Sequence, residues 1–362
     1  EGSISWLTTG SIPGREGYSG RLPADGSLNH DWKGFVPYHL MPSSKNPETG
    51  YIATANHRTV PPDSPVMPTR SWAQPWRIRR ITQRLEELGT PLIADFKELQ
   101  NDVFSMRPSH VLPTLLNCRL KDDKARYLAD RLREWDGECR TDSVGCLIFN
   151  MLPVEICRTV LEPVLGKADL DLYYTLLPFF TSLVESIAAD PDVLERFPGP
   201  DGIAPSLDDV MESSLAAVWT HLSKRFGGNP RRWTWGAWHH ILFRHPGGKK
   251  GFASWFLNRG PWPMNGDWTT VNVCGFSLLT DPGEATTIPS MRFIASLADP
   301  DDNRLCMPLG QSGRPVNRHY DDFVRKYIRG RYVKFPMNPR TPWWRTKRLT
   351  VIRSCAGRPA DN

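Results

Sequence analysis

Strands bracketing a central block of helices predict an α+β fold rather than an alternating parallel βαβ arrangement. Three observations carry this. Ile4-Ser5-Trp6-Leu7-Thr8-Thr9 places apolar side chains at alternate positions, as a half-buried strand does. From about residue 75 onward the apolar positions recur instead at helical spacing. The 33 prolines and 14 tryptophans among 362 residues then argue against a helical bundle or a repeat array. Proline stiffens irregular connections, and large aromatic side chains pin them.

Taken in order, residues 1–66 read as strands separated by Gly, Pro and Asn turns. One strand covers 4–10 and another 50–60, with a loop carrying Asp31-Trp32-Lys33-Gly34 between them. Residues 67–228 form the helical region. Ile78, Ile81, Leu85 and Leu88 mark its first helix, and 96–104, 125–135, 144–152, 154–165 and 170–187 follow. A further helix at 206–226 has an acidic first half, which suits the positive end of the helix dipole. Residues 229–362 are aromatic and irregular. Strands are expected there at 269–274 and 290–297, then a last helix at 317–328 and an extended surface strap beyond Pro336. The three segments read as one fold unit, not as independent domains.

The net charge of +6 raises nucleic-acid binding as a class. Lys and Arg are mostly interleaved with acids, and only 340–353 is clearly one-signed, so no nucleic-acid partner is expected. The seven cysteines form no CxxC pair, which argues against a zinc ribbon and a disulfide scaffold. His239, His240 and His245 match no closed zinc spacing and are expected to be structural. No apolar run reaches the roughly 18 residues of a membrane span. The nearest, 173–184, is broken by Thr175, Pro178 and Thr181. There is no P-loop, GxSxG elbow, HExxH or dinucleotide fingerprint, and Gly10–Gly17 precedes no helix.

Gly50-Tyr51-Ile52-Ala53-Thr54-Ala55-Asn56-His57-Arg58 reads as a strand that ends in polar side chains. A rigid strand end can hold an amide N–H where negative charge develops on a substrate oxygen. A turn-forming Asn closing a strand is the plain alternative, and the residues alone leave both open.

An ordered series of motifs then bears on the choice. Gly10-Ser11-Ile12-Pro13-Gly14-Arg15, Leu22-Pro23-Ala24-Asp25-Gly26, Asp31-Trp32-Lys33-Gly34-Phe35-Val36-Pro37 and Asn46-Pro47-Glu48-Thr49-Gly50 precede the strand around Asn56. Trp76-Arg77-Ile78-Arg79-Arg80, Trp135-Asp136-Gly137, Trp235-Gly236, His245-Pro246, Arg259-Gly260-Pro261, Gly266-Asp267, Thr270-Val271-Asn272 and Gly310-Gln311-Ser312-Gly313 follow it. In this order they resemble the large subunit of the penicillin acylase family, within the N-terminal nucleophile hydrolases.

The resemblance implies a part of a four-layer αββα sandwich carrying a large helical insertion. It implies an amidohydrolase that separates an acyl group from an amine, the substrates being β-lactam side-chain amides or acyl-homoserine lactones. By the same resemblance Asn56 is the oxyanion-hole asparagine, and Arg77 lies near the nucleophile. The family nucleophile is a serine whose own α-amine is the base. Residue 1 is Glu, and 4–9 matches a point deep inside the large subunit. The chain therefore reads as a fragment lacking its nucleophile and inactive alone. Its partners are then the small subunit and the first part of the large subunit from one precursor, in the periplasm or secreted. No catalytic cofactor is implied. A structural calcium is, with Asp63 in the right neighbourhood and the other ligands upstream. His57 stands where the family usually repeats Asn, which makes a pH-sensitive contact possible. A non-catalytic relative kept as a binding module is the alternative function.

Overall fold

The computed structural model describes residues 2–20, 22–175, 182–278 and 282–338. Its first section holds one antiparallel ribbon, β1 (Ser5–Leu7) against β2 (Ser43–Lys45), with Trp6 opposite Ser44. Asn46 closes the ribbon in a left-handed conformation, and its Oδ1 accepts from the Ile4 N–H at 2.9 Å. Asn tolerates that backbone better than most residues. Few apolar side chains are buried here: Met41, Ala55, Val60 and Val66 are, whereas Leu22, Trp32, Phe35 and Tyr38 stay more than half exposed.

The strand expected at 50–60 is absent. Asn56 has φ 60°, which no extended strand accommodates, and the chain bends at 55–57. Its carbonyl is then free to accept from the Ala73 N–H at 2.8 Å, which fastens the bend to the segment before the first helix.

The central helices are α1 (Trp76–Glu87), α2 (Ile93–Gln100), α3 (Arg107–Leu115), α4 (Asp123–Arg133), α5 (Val144–Tyr174), α6 (Ser182–Ala189) and α7 (Leu207–Phe226). Their ends are chemically marked. Asp122 caps α4 through the Lys124 and Ala125 N–H groups, Ser143 caps α5 through Cys146, and Ser206 caps α7 through Asp209. In α7, Asp208 and Asp209 lie in the first turn and Lys224 and Arg225 in the last, matching the helix dipole.

The helices at 144–152 and 154–165, expected to be separate, are one. Pro153 does not end α5, and the break comes at Gly166, whose φ of 73° only glycine adopts readily. Of the expected helix 170–187, residues 176–181 lie outside the described residues. By length and apolar character α5 is long enough to cross a membrane, but 78% of its most apolar window is buried within the protein. It is the core helix, with α7, α4 and α6 packed on it. The main core gathers Leu128 and Leu132 of α4, Leu147, Ile148 and Leu152 of α5, and Leu215 and Val218 of α7.

Beyond α7 the elements are short. They comprise α8 (Trp235–Trp238), the ribbon β3 (His240–Phe243) with β4 (Arg259–Pro263), and α9 (Gly251–Leu257) between them. There follow β5 (Gly275–Phe276) with β6 (Ala285–Thr287). A three-stranded antiparallel sheet has β8 (Arg304–Cys306) in the middle, flanked by β7 (Arg292–Ile294) and β9 (Val333–Lys334). The helix α10 (Val324–Ile328) precedes β9 and packs on a second, smaller core with Tyr327. The whole is a mixed α/β arrangement.

Two expectations fail here for a common reason. At 269–274 there is a tight turn instead of a strand, because the Asp267 carboxylate takes the Thr269 and Thr270 N–H groups that a ladder would use. At 317–323 the chain makes turns, with the Asn317 side chain accepting from the His319 N–H, so the last helix starts only at Val324. The strand at 290–297 is present in shortened form as β7. The expected strap beyond Pro336 lies outside the described residues from 339 onward.

His239 lies fully buried between these parts, stacked on Trp235 at 4.5 Å with Nδ1 2.9 Å from the Gly283 carbonyl. Burial pushes its pKa from 6.5 down to about 3. Between those values the unfolded chain binds a proton that the native one excludes. The stability it contributes is thus present above pH 6.5 and is lost as pH falls toward 3. Urea midpoints are expected to drop between pH 7 and pH 5, and His239→Gln to flatten that dependence. An unaltered slope in the variant would assign the acid sensitivity to other groups.

Candidate active site

Asn56 and Arg77 are far apart on the chain and meet at one cavity. Trp76 starts α1 and is buried, which sets the first turn against the bend at 55–57 and aims Arg77 at it. The Arg77 Nη2 donates to the Ala55 carbonyl at 3.0 Å and to the Asn56 Oδ1 at 2.9 Å. Guanidinium has no acceptor, so the amide oxygen must be the atom facing it. The Asn56 Nδ2–H donors are thereby turned toward other groups. Burial lowers the Arg77 pKa from its ordinary value, and the group stays charged at neutral pH.

His57 points its Nδ1 at the Ala55 N–H, 3.4 Å away. Its pKa is lowered, first by burial and then by the Arg77 charge, so the ring is a neutral acceptor at pH 7.

The cavity beside this pair has a volume of about 350 Å³. Asn56, Gln74 and Arg77 stand on its wall, and Trp76, Trp268 and Phe276 give it apolar surface. Arg107, Asn150 and Thr269, with Ser71 and Thr287, add to its polar lining. The carboxylate of Asp267 sits behind that lining, fully buried, and accepts from Asn150 Nδ2 and from Thr269. Among the described residues, no Asp or Glu is part of the wall itself.

Such a site can present amide and guanidinium N–H groups to a carbonyl oxygen, with apolar surface alongside. A match to the penicillin amidase family extends over residues 1–341. The chain belongs to that family. Its members are amide-bond hydrolases. An acyl-homoserine lactone acylase QuiP from Pseudomonas aeruginosa is 28% identical over 97% of this chain and 45% of its own length. A penicillin acylase 2 proenzyme from Pseudomonas sp. (strain SE83) is 28% identical over 89% of this chain and 41% of its own. The chain thus spans less than half the length of these relatives. The fold is that of a thermostable penicillin G acylase from Alcaligenes faecalis, with a TM-score of 0.60 and 18% identity, covering 97% of this chain and 66% of that one.

The other residues singled out from the sequence fall elsewhere. Asp63 is exposed in the turn after Val60, and among the described residues no three His, Cys, Asp or Glu side chains stand together as a metal site. His240 Nδ1 lies 3.0 Å from the Trp238 carbonyl, and His245 Nδ1 accepts from the Gly247 N–H. Both serve the backbone. Arg107, Asn150 and Trp268 were missed, since they reach the cavity from α3, α5 and the turn at 267–270. Among the motifs, Gly266-Asp267 and Thr270-Val271-Asn272 flank Trp268, and none lies near Arg107 or Asn150.

Proposed function

We propose that this chain carries the oxyanion side of an amidohydrolase site, acting on acylated amines. The observation that supports it is the Asn56 amide held by Arg77, oxygen inward and N–H outward, beside a partly apolar cavity. When a nucleophile attacks the amide carbonyl, Nδ2 of Asn56 donates to the oxygen that gains charge. Arg77 keeps the amide from flipping and adds a positive field.

The nucleophile in this reading is a serine with a free α-amine, supplied by polypeptide outside these 362 residues. The α-amine takes the hydroxyl proton as the serine attacks, and returns it to the departing amine. The partners are then the small subunit and the first part of the large subunit, cut from one precursor in the periplasm or after secretion. Candidate substrates are β-lactam side-chain amides and acyl-homoserine lactones, the classes named for its relatives.

The test is to assay amine release from both classes with the 362-residue chain alone and with the product of its full gene. The chain alone is expected to be inactive and the full product active. Turnover by the chain alone would overturn the placement of the nucleophile. Inactivity of both would favour a non-catalytic binding module.

A further inference from the structure

The helix α9 buries none of its seven residues, and none of them joins either core. Phe252 and Trp255 are 74% and 76% exposed, and Phe256 is exposed beside them. At spacings of three and four residues these rings share one face of the helix. Between ring centroids Phe252 lies 5.5 Å from Trp255 and 5.8 Å from Phe256, so the three make one continuous apolar surface. Single exposed apolar side chains need no explanation, but a joined aromatic face marks a surface that meets something.

The base of this segment is fastened. Asn258 Oδ1 accepts from the His245 N–H at 2.9 Å, and its Nδ2 donates to the Gly248 carbonyl and to Ser254 Oγ, each at 3.0 Å. The Tyr320 hydroxyl donates to the Leu257 carbonyl at 2.6 Å, and Arg259 pairs with Asp321. The rings are thus held out by a tied segment, not left bare by a loose one.

The charge around them is one-signed. No Asp or Glu occurs from Ser213 to Gly266. Arg244 and Arg259 are balanced by Glu284 and Asp321. Lys249 and Lys250, exposed and just ahead of Phe252, form no ion pair among the described residues. Lysine is depleted in the contact surfaces of proteins, where aromatic residues and arginine are enriched. Lysine beside tryptophan and phenylalanine is instead the composition of helices that lie in a bilayer surface, rings among the acyl chains and ammonium groups among the phosphates.

We propose that α9 docks this protein on a bilayer carrying anionic lipid, with Phe252, Trp255 and Phe256 inserted and Lys249 and Lys250 at the headgroups. The helix is far too short to span a bilayer, so the contact is peripheral and reversible. None of these residues lines the Asn56 cavity, so docking is independent of the oxyanion reading. Amines with long acyl chains partition into bilayers, and docking would bring the protein to them.

The test is co-sedimentation of the protein expressed from its full gene with vesicles of phosphatidylcholine, either alone or with about a quarter of phosphatidylglycerol. The anionic vesicles are expected to bind about 10–30-fold more tightly, the effect of two lysines near a charged surface, and to release the protein at high salt. Lys249→Gln with Lys250→Gln is expected to remove that difference. Trp255→Ser is expected to weaken binding about tenfold, through the apolar area it withdraws. Urea midpoints should not move in either variant, because the side chains are exposed. Binding to neither vesicle overturns the proposal, as does binding that survives both variants. A Trp255→Ser product whose subunits separate on a sizing column also overturns it and assigns the face to the rest of the precursor. Loss of a dimer in that variant overturns it in favour of a second copy.

Discussion

Replacing Asn56 with alanine is expected to lower kcat of the full-gene product by about 10²–10³-fold, with a much smaller change in KM. The amide N–H bonds most strongly to an oxygen that carries charge only in the transition state, so its removal leaves ground-state binding nearly intact. Alanine brings a second effect, because position 56 has φ 60° and a Cβ without a compensating polar group costs about 1–2 kcal/mol there. Asn56→Gly separates the two. Glycine accepts the backbone at no steric cost but offers no donor, so it should be as slow as alanine and more stable. Asn56→Asp retains an acceptor for Arg77 and places a negative charge beside the developing oxyanion, and should be the slowest of the three. If the glycine variant keeps kcat within about threefold, well short of the loss an oxyanion donor causes, Asn56 is not that donor.

Trp235→Ala is expected to destabilise the protein by about 3–5 kcal/mol, read as a lower urea midpoint at unchanged slope. Trp235 is fully buried and touches Trp238, His239 and Phe276, with ring centroids 5.4, 4.5 and 5.6 Å away. Its Nε1 donates to the Gly266 carbonyl at 3.1 Å, at the start of the turn that holds Asp267. Truncation therefore leaves a large void and an unpaired carbonyl beside the candidate site. Trp235→Phe should recover most of the packing while still losing the Gly266 bond. A loss below about 1 kcal/mol for alanine would mean that the neighbouring rings close over the gap, contrary to the usual rigidity of packed interiors.

The helices were the most legible part of the fold. Apolar stripes are a local signal, and α1, α2, α4 and α7 fall within a few residues of expectation, whereas α3 was not expected and α5 runs on through the boundary expected at Pro153. The segments misread as strand or helix share a different feature. At Asn56, Asp267 and Asn317 a short polar side chain or a left-handed backbone redirects N–H groups that regular structure would have used. Alternating hydrophobicity is blind to that. Asn56 and Arg77 were singled out through resemblance, since nothing local distinguishes a site asparagine from a turn asparagine. Arg107 gave no signal at all: its partner Glu185 lies 78 positions away, and burial makes an arginine informative only once the fold is known.

One nitrogen of Arg77 donates both to the main-chain Ala55 carbonyl and to the side-chain amide oxygen of Asn56. With the main chain and the amide fastened to the same atom, any small drift of α1 carries both along together. The relative aim of the proposed donor is then insensitive to breathing of the helix, as with a tool and its workpiece clamped in one vice. Error in such a joint comes from rotation of the guanidinium alone, and the lysine side chain, with a single rotatable ammonium and no planar fork, would hold the aim far less well.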